Sequence, residues 1–263
     1  MEIGLDDNKN YWITIHTGSR NFGKCVCDYW QDRASSLFKK DKKDVLKDRI
    51  IEIRKQYTGM DIKVKIKEAR AELIMDGVQK SDLDFLEGEN AVSYLYDMIF
   101  AQKYAEVNRE LIAKTILDIL GVPAIDRIET VHNFIDFRDF IIRKGAIRSY
   151  IGERITIPFN MRDGILVCEG KSNPEWNYSA PHGAGRLMSR SKAKKVLNMD
   201  IFKSQMEGIY STSVCNNTLD EAPDAYKDSK VIEQAIEPTA KILFKIKPIL
   251  NMKDSGETHY NKE

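Results

Sequence analysis

Apolar positions follow a strand-like pattern at both ends of this chain and a helical pattern between them. Near the start, residues 10–15 (NYWITI) are rich in β-branched and aromatic side chains, which predicts a buried strand ending at His16. Over residues 22–57, Val26, Tyr29, Trp30, Ala34 and Leu37 recur at helical spacing. The run KKDKKD then reads as a solvated helix end or loop, after which Val45, Ile50, Ile51 and Ile53 resume the apolar pattern. A second long helix is predicted over 90–120, stopped by Gly121 ahead of Pro123. After Ile128 the segments TVHNFIDF, FIIRKGAI, RITIPF and GILVCEG are short, apolar and bounded by polar or glycine positions, as strands are. Helices are expected over 186–197, 201–210 and 228–236, then a last strand over 240–250. The fold class this predicts is α+β: a mixed β framework around one site, with a helical insertion at about 22–120. One domain over 1–253 and a polar tail at 254–263 complete the expected organisation.

Composition narrows the picture. A chain of 263 residues, 42% of them hydrophobic, can bury a sizeable core. Its 41 basic and 40 acidic side chains leave a net charge of +1, so any site for a polyanion must be local. Cys25, Cys27, Cys168 and Cys215 form neither paired CxxC hooks nor a dense secreted framework, so no disulfide and a reducing compartment are expected. No apolar run is long enough to cross a bilayer, and residues 1–15 lack a signal-peptide pattern. The chain reads as soluble and cytoplasmic, with no membrane partner.

Three of the four histidines sit in short motifs: His16 in HTGSR, His132 in VHNF and His182 in HGAGR; His259 lies in the polar tail. Histidine suits divalent-metal binding and attack on phosphorus near neutral pH. In HTGSR, Gly18 allows close backbone approach, and Ser19 and Arg20 can meet phosphate oxygens. The same text also fits a strand followed by a helix that Ser19 caps, with His16 merely packed. His132, next to Asn133, could equally be a buried structural histidine. HGAGR places two glycines ahead of a helical stretch, a loop whose amides can surround an anion at a helix N-terminus. Arg186 and Arg190, one helical turn apart, begin a run over 182–195 that contains no acid. RKGAIRSYIGER adds Arg143, Lys144, Arg148 and Arg154, which fit either phosphate positioning or an exposed hairpin. In DEAPDAYKD, Asp224 or Asp228 would cap a helix.

Taken in order, HTGSRNFG, HNF, RKGAIR, IPFNM, HGAGRLMSRSKA, DEAPDAYKD and KPILNMKD resemble the RtcB RNA ligases of tRNA splicing and RNA repair over nearly the whole chain. The resemblance implies a GTP- and manganese-dependent enzyme that joins RNA 3′-phosphate or 2′,3′-cyclic phosphate ends to 5′-hydroxyl ends. Its RNA partners would be tRNA halves or broken RNA. By it His182 is the nucleophile that forms a histidine-GMP intermediate, and His16 and His132 are Mn²⁺ ligands. Asn133, Pro158, Phe159, Asn160, Met161, Gly183, Ala184, Gly185 and Lys253 match positions around the GTP. Arg20, Arg148, Arg186 and Arg190 are carried over as RNA-phosphate contacts.

The family also carries an Asp-x-x-Cys element and an Asn-His-Phe element ahead of the HTGSR strand, supplying further metal ligands. This sequence contains neither, and its opening MEIGLDD resembles the family text just after Asn-His-Phe. The expectation is therefore an N-terminally truncated chain, completed by a separately encoded N-terminal segment or surviving as a remnant that binds RNA or nucleotide without ligation. Cys25 and Cys27 are expected to be buried on a helix rather than to replace the missing ligands. Phe159, Arg162 and Ile165 also depart from the family's glycines and serine.

Overall fold

The computed structural model describes residues 1–75 and 84–254, so His259 and the tail beyond residue 254 lie outside the described residues. The chain divides into two units, Met1–His16 with Arg109–Glu263, and Thr17–Asn108.

The second unit is helical. Helix α1 spans Arg20–Gln56, α2 spans Met60–Met75, and α3 spans Gly88–Leu120, continuing past the unit's end. KKDKKD is neither loop nor helix end: α1 runs straight through it. Lysine is a good helix former, and no glycine or proline breaks the run until Gly59, which has φ +63°. Small buried residues, Ala34, Ala69, Ala101 and Ala105, let the helices approach closely. Trp30 is buried and donates its indole N–H to Asp97 at 2.8 Å, and Ser35 donates to Asp84 at 2.7 Å. Cys25 and Cys27 do not enter this core; both are exposed, and all four cysteines are free thiols. The α3 helix ends as its sequence predicts. Gly121 takes φ +67°, and the Val122 and Gly121 amides bond back to Leu117 and Asp118, the double bond of a glycine-closed helix end.

The first unit holds two sheets. Strands β1 (Glu2–Leu5), β2 (Tyr11–Thr14), β5 (Arg154–Pro158), β6 (Ile165–Gly170), β8 (Tyr210–Ser211) and β9 (Ala240–Asn251) form one, in the order β2-β1-β9-β6-β5 with β8 parallel to β9. Strands β3 (His132–Asp136), β4 (Ile141–Arg148) and β7 (Ser179–Pro181) form the other. Helices α4 (Arg190–Val196), α5 (Met199–Gln205) and α6 (Ser229–Ala235) are short. Asp228 caps α6 by accepting from the Lys230 amide at 2.8 Å, whereas Asp224 accepts from Gln205.

Strand β6 is apolar without alternation because both of its faces are covered. Leu166 and Cys168 join Ile155 and Ile157 of β5, Ile147 and Ala180 of the smaller sheet, and Ile232 and Ile236 of the α6 region. Ile165 and Val167 face the other way, onto Ile246, Trp12 and Phe244. Each fully buried aliphatic side chain stabilises the fold by roughly 1.5–3 kcal/mol, so this two-sided packing anchors the strands that carry the site. Among the described residues no helix is long and apolar enough to cross a membrane.

Candidate functional site

Strand register brings His132 and His182 together. His132 pairs with Ile147 of β4, and Ile147 pairs with Ala180 of β7, so the three lie in one row. His182 follows two residues after Ala180 and therefore shares the row's face. The two rings meet with centroids 4.6 Å apart. His182 Nδ1 lies 2.8 Å from the Gly145 carbonyl oxygen. A carbonyl only accepts, so in this contact Nδ1 is the donor and Nε2 is the nitrogen left for other partners. The Gly145 amide donates in turn to the Asn133 side-chain oxygen at 2.7 Å.

His16 arrives from the larger sheet, two residues past the end of β2. Its Nε2 lies 3.0 Å from Nε2 of His132. Burial, followed by the nearby His132, Lys253 and His182, depresses His16 to a pKa of about 4. His132 is also lowered, by burial first and then by His182, with Asn133 opposing. Both imidazoles are thus uncharged at neutral pH, the form that binds a metal. Thr14, Glu2 and Asn251 pair across β2, β1 and β9, which puts His16 and Lys253 at the same end of that sheet. Lys253 is held there by its backbone: its amide donates to Ser213 Oγ at 2.8 Å, and its carbonyl accepts from the same hydroxyl at 2.9 Å.

The motif reading missed Glu2. It accepts from Asn251 at 2.9 Å, and burial pushes it up to about 7 despite Lys253. Its other oxygen is buried without a hydrogen-bond partner. The apolar alternation of β1 is too short to have marked it.

For a divalent ion the donor set fits in part. Two imidazole nitrogens about 2.1 Å from one ion, at a right angle, would be about 3.0 Å apart, which matches the His16 to His132 separation of 3.0 Å. No group of three or more histidine, cysteine or acidic side chains is placed to hold a metal among the described residues.

The glycine loop is not a helix N-terminus. Helix α4 begins only at Arg190, capped by Ser189, whose hydroxyl accepts from the Lys192 amide. The glycines serve backbone approach instead: the Ala184 amide donates to the Pro158 carbonyl at 3.3 Å, and a Cβ at Gly183 would sit 2.9 Å from that oxygen. Gly185 turns the chain at φ +72°. Pro158 thereby ties the loop to the larger sheet. Phe159, Met161 and Ala184 are buried, so Phe159 and Met161 offer a ligand only backbone. The Asn160 side-chain oxygen accepts from the Arg162 and Asp163 amides, each at 2.9 Å. A cavity of about 520 Å³ lies on this flank, lined by Asn160, Arg162, Asp163, Tyr226, Lys227 and Asp228 among others.

The basic residues are less free than the sequence suggests. Arg186 lies outside helix α4, and what it shares with Arg190 is not helical spacing but the Glu221 carboxylate, 3.7 Å from Arg186 and 2.6 Å from Arg190. Arg186 donates to the Asp220 carbonyl at 2.5 Å and stacks on Tyr226, with its guanidinium 5.0 Å from the ring centroid. Arg190 pairs with Asp220 at 2.7 Å and Glu221 at 2.6 Å, yet its side chain is 68% exposed. The acids missing from residues 182–195 are supplied by DEAPDAYKD. Arg148 pairs with Glu153 and more distantly with Asp136, and Arg154 with Asp126. Arg143 is buried against Asp136 at 2.9 Å and is not part of an exposed hairpin. Arg20 begins α1 in the helical unit at φ +51°, and Ser19 stands at the N-cap position without a side-chain capping bond.

The family model for the tRNA-splicing ligase RtcB matches residues 1–254. The RNA-splicing ligase RtcB of Escherichia coli K12 is 24% identical over 272 residues, which is 96% of this chain and 58% of that protein. The tRNA-splicing ligases RtcB of Archaeoglobus fulgidus and Nanoarchaeum equitans are 26% and 27% identical, covering 90% and 95% of this chain and 51% and 54% of theirs. The chain spans little more than half the length of these curated relatives. With the family match running from the first strand to the end of the last, this chain belongs to the RtcB family.

Proposed function

We propose that this chain carries the guanylylation site of an RNA ligase that joins RNA 3′-phosphate or 2′,3′-cyclic phosphate ends to 5′-hydroxyl ends in tRNA splicing or RNA repair. The observation that supports the reading is the meeting of His16, His132 and His182, with Lys253 electrostatically coupled to His16. His182 is the nucleophile: its Nε2 lone pair bonds to the α-phosphorus of GTP while the bond to the bridging oxygen breaks and pyrophosphate leaves. A 2′,3′-cyclic end is first opened by water, which breaks the bond from phosphorus to O2′, and the guanylyl group then moves from His182 to the resulting RNA 3′-phosphate. Attack by the 5′-hydroxyl forms the phosphodiester and releases GMP.

Lys253 and the Gly183–Gly185 amides would hold phosphate oxygens. Asn133 and the backbone of 158–161 would border the nucleotide. His16 and His132 would hold a divalent ion, manganese by family resemblance, with water or phosphate oxygens filling its other positions. Such an ion offsets phosphate charge. Of Arg148, Arg186 and Arg190, the last has the most exposed side chain, 68% against 22% for each of the others, and is the proposed RNA-phosphate contact in this unit.

The partial donor set favours a second reading, a remnant that binds nucleotide or RNA without covalent chemistry. Incubation with radiolabelled GTP and Mn²⁺ separates the two. The ligase reading expects an acid-labile adduct on His182, absent in His182→Ala and weakened in His16→Ala and His132→Ala. RNA binding without any adduct would establish the remnant, and absence of both adduct and binding would overturn each reading.

A further inference from the structure

We infer that Asn133 and Gly145 are positioning residues for His182, a two-bond relay through the bulge of the smaller sheet that keeps the proton on Nδ1 and the lone pair on Nε2. The inference rests on His182 being the nucleophile and names what prepares it for attack.

The relay follows from strand register. Between the pairs His132↔Ile147 and Phe134↔Arg143, β3 has one residue, Asn133, while β4 has Lys144, Gly145 and Ala146. The ladder slips here, and slipped residues lose their ordinary backbone partners. The Gly145 amide is one such group, and the Asn133 side-chain oxygen takes it at 2.7 Å. This geometry needs left-handed backbone at both positions, φ +57° at Asn133 and +67° at Gly145. Asparagine and glycine are the residues that accept it most readily. With its amide held, Gly145 presents its carbonyl to His182 Nδ1 at 2.8 Å.

A neutral imidazole can carry its proton on either nitrogen, and a fixed acceptor beside one of them decides which. Placed beside Nδ1, the acceptor leaves Nε2 as the basic and nucleophilic atom. The same bond fixes the plane of the ring. Among the described residues no other group hydrogen-bonds the His182 ring. The adjacent His132 directs its Nε2 to His16, and its Nδ1 is buried without a partner. A Cβ at Gly145 would lie at ordinary contact distance from the His182 ring, 3.6 Å from Cε1, so glycine is needed for its backbone angle rather than for space.

The test is long-range proton-nitrogen NMR of histidine-labelled protein, with each ring assigned by single-histidine variants. In the unaltered protein His182 should show a protonated Nδ1 and an unprotonated Nε2. Asn133→Gly keeps the backbone angle but removes the acceptor, and should move the tautomer ratio toward protonated Nε2 by roughly three- to tenfold, the effect of one net hydrogen bond. Asn133→Asp retains an acceptor and should restore the original ratio. Protonated Nε2 in the unaltered protein, or a ratio indifferent to Asn133→Gly, would overturn the relay. The labelled-GTP experiment then separates the two ideas. The expected tautomer without an adduct on His182 defeats the nucleophile and spares the relay, whereas an adduct with an unmoved ratio does the reverse.

Discussion

Replacing Arg143 by methionine keeps most of the side chain's volume and deletes its guanidinium, which makes it a sharp test of how this site is built. Arg143 is 2% exposed and donates to Asp136 at 2.9 Å, to Ser179 Oγ at 2.9 Å and to Asp139 at 3.4 Å. Its guanidinium also lies over the Phe134 ring. Removing it leaves the Asp136 carboxylate, only 5% exposed, with Arg148 at 3.5 Å as its remaining cation. Breaking a buried pair from one side costs about 3–5 kcal/mol, and the surviving Arg148 contact places this case near the lower end. At roughly 2–4 °C per kcal/mol for a unit of this size, the melting temperature should fall by about 6–12 °C. Arg143→Met combined with Asp136→Asn removes the stranded charge and should recover part of that loss. Melting followed by circular dichroism, alongside RNA binding by the folded fraction, decides the matter. A fall under about 2 °C together with weakened RNA binding would mean that Arg143 is a free phosphate contact and that the buried pair is wrongly assigned.

Glu2 is held near pKa 7 by burial, above its ordinary value of 4.5, so folding favours its protonated form. Its contribution to stability is therefore complete below about pH 4.5 and is lost as pH rises through 7. Glu2→Gln should stabilise the protein by up to about 3 kcal/mol at pH 8 and change little at pH 4; urea denaturation with equal curves at both values would contradict this. Gly183→Ala puts a methyl group 2.9 Å from the Pro158 carbonyl, so His182 guanylylation should drop tenfold or more while stability falls by about 1–3 kcal/mol, measured by adduct formation and thermal melting. Arg190→Ala should weaken RNA binding and lower the slope of affinity against salt by about one. Arg186→Ala should chiefly lower the melting temperature, because its guanidinium is engaged by Asp220 and Tyr226. A salt titration showing the opposite ranking would refute the assignment.

Local patterns carried much of this far. The strand runs of TVHNFIDF, RITIPF and GILVCEG, the stop of α3 at Gly121 and the cap of α6 at Asp228 all depend on residues close in the chain, and each is present in the structure. So are the three histidine motifs that meet at one place. Where the pattern was short, it failed. Strands β1, β7 and β8 have four, three and two residues, too few to show a period, and they exist because longer strands pair with them. KKDKKD misled for another reason: a charged run says that a segment is solvated, and a solvated helix face satisfies that as well as a loop.

The amino-acid order by itself determined the kinds of element, their sequence along the chain and the residue types available for chemistry, since these follow from spacing over a few positions. Only the tertiary structure decided which charges stay open and which side chains meet. Arg143 is enclosed by Asp136 and Arg186 by the Asp220 backbone carbonyl and the Glu221 carboxylate, while the Gly183–Gly185 loop docks on Pro158 away from any helix start. These outcomes depend on strand register and on partners tens of residues distant, where burial strengthens a pairing that no local pattern encodes.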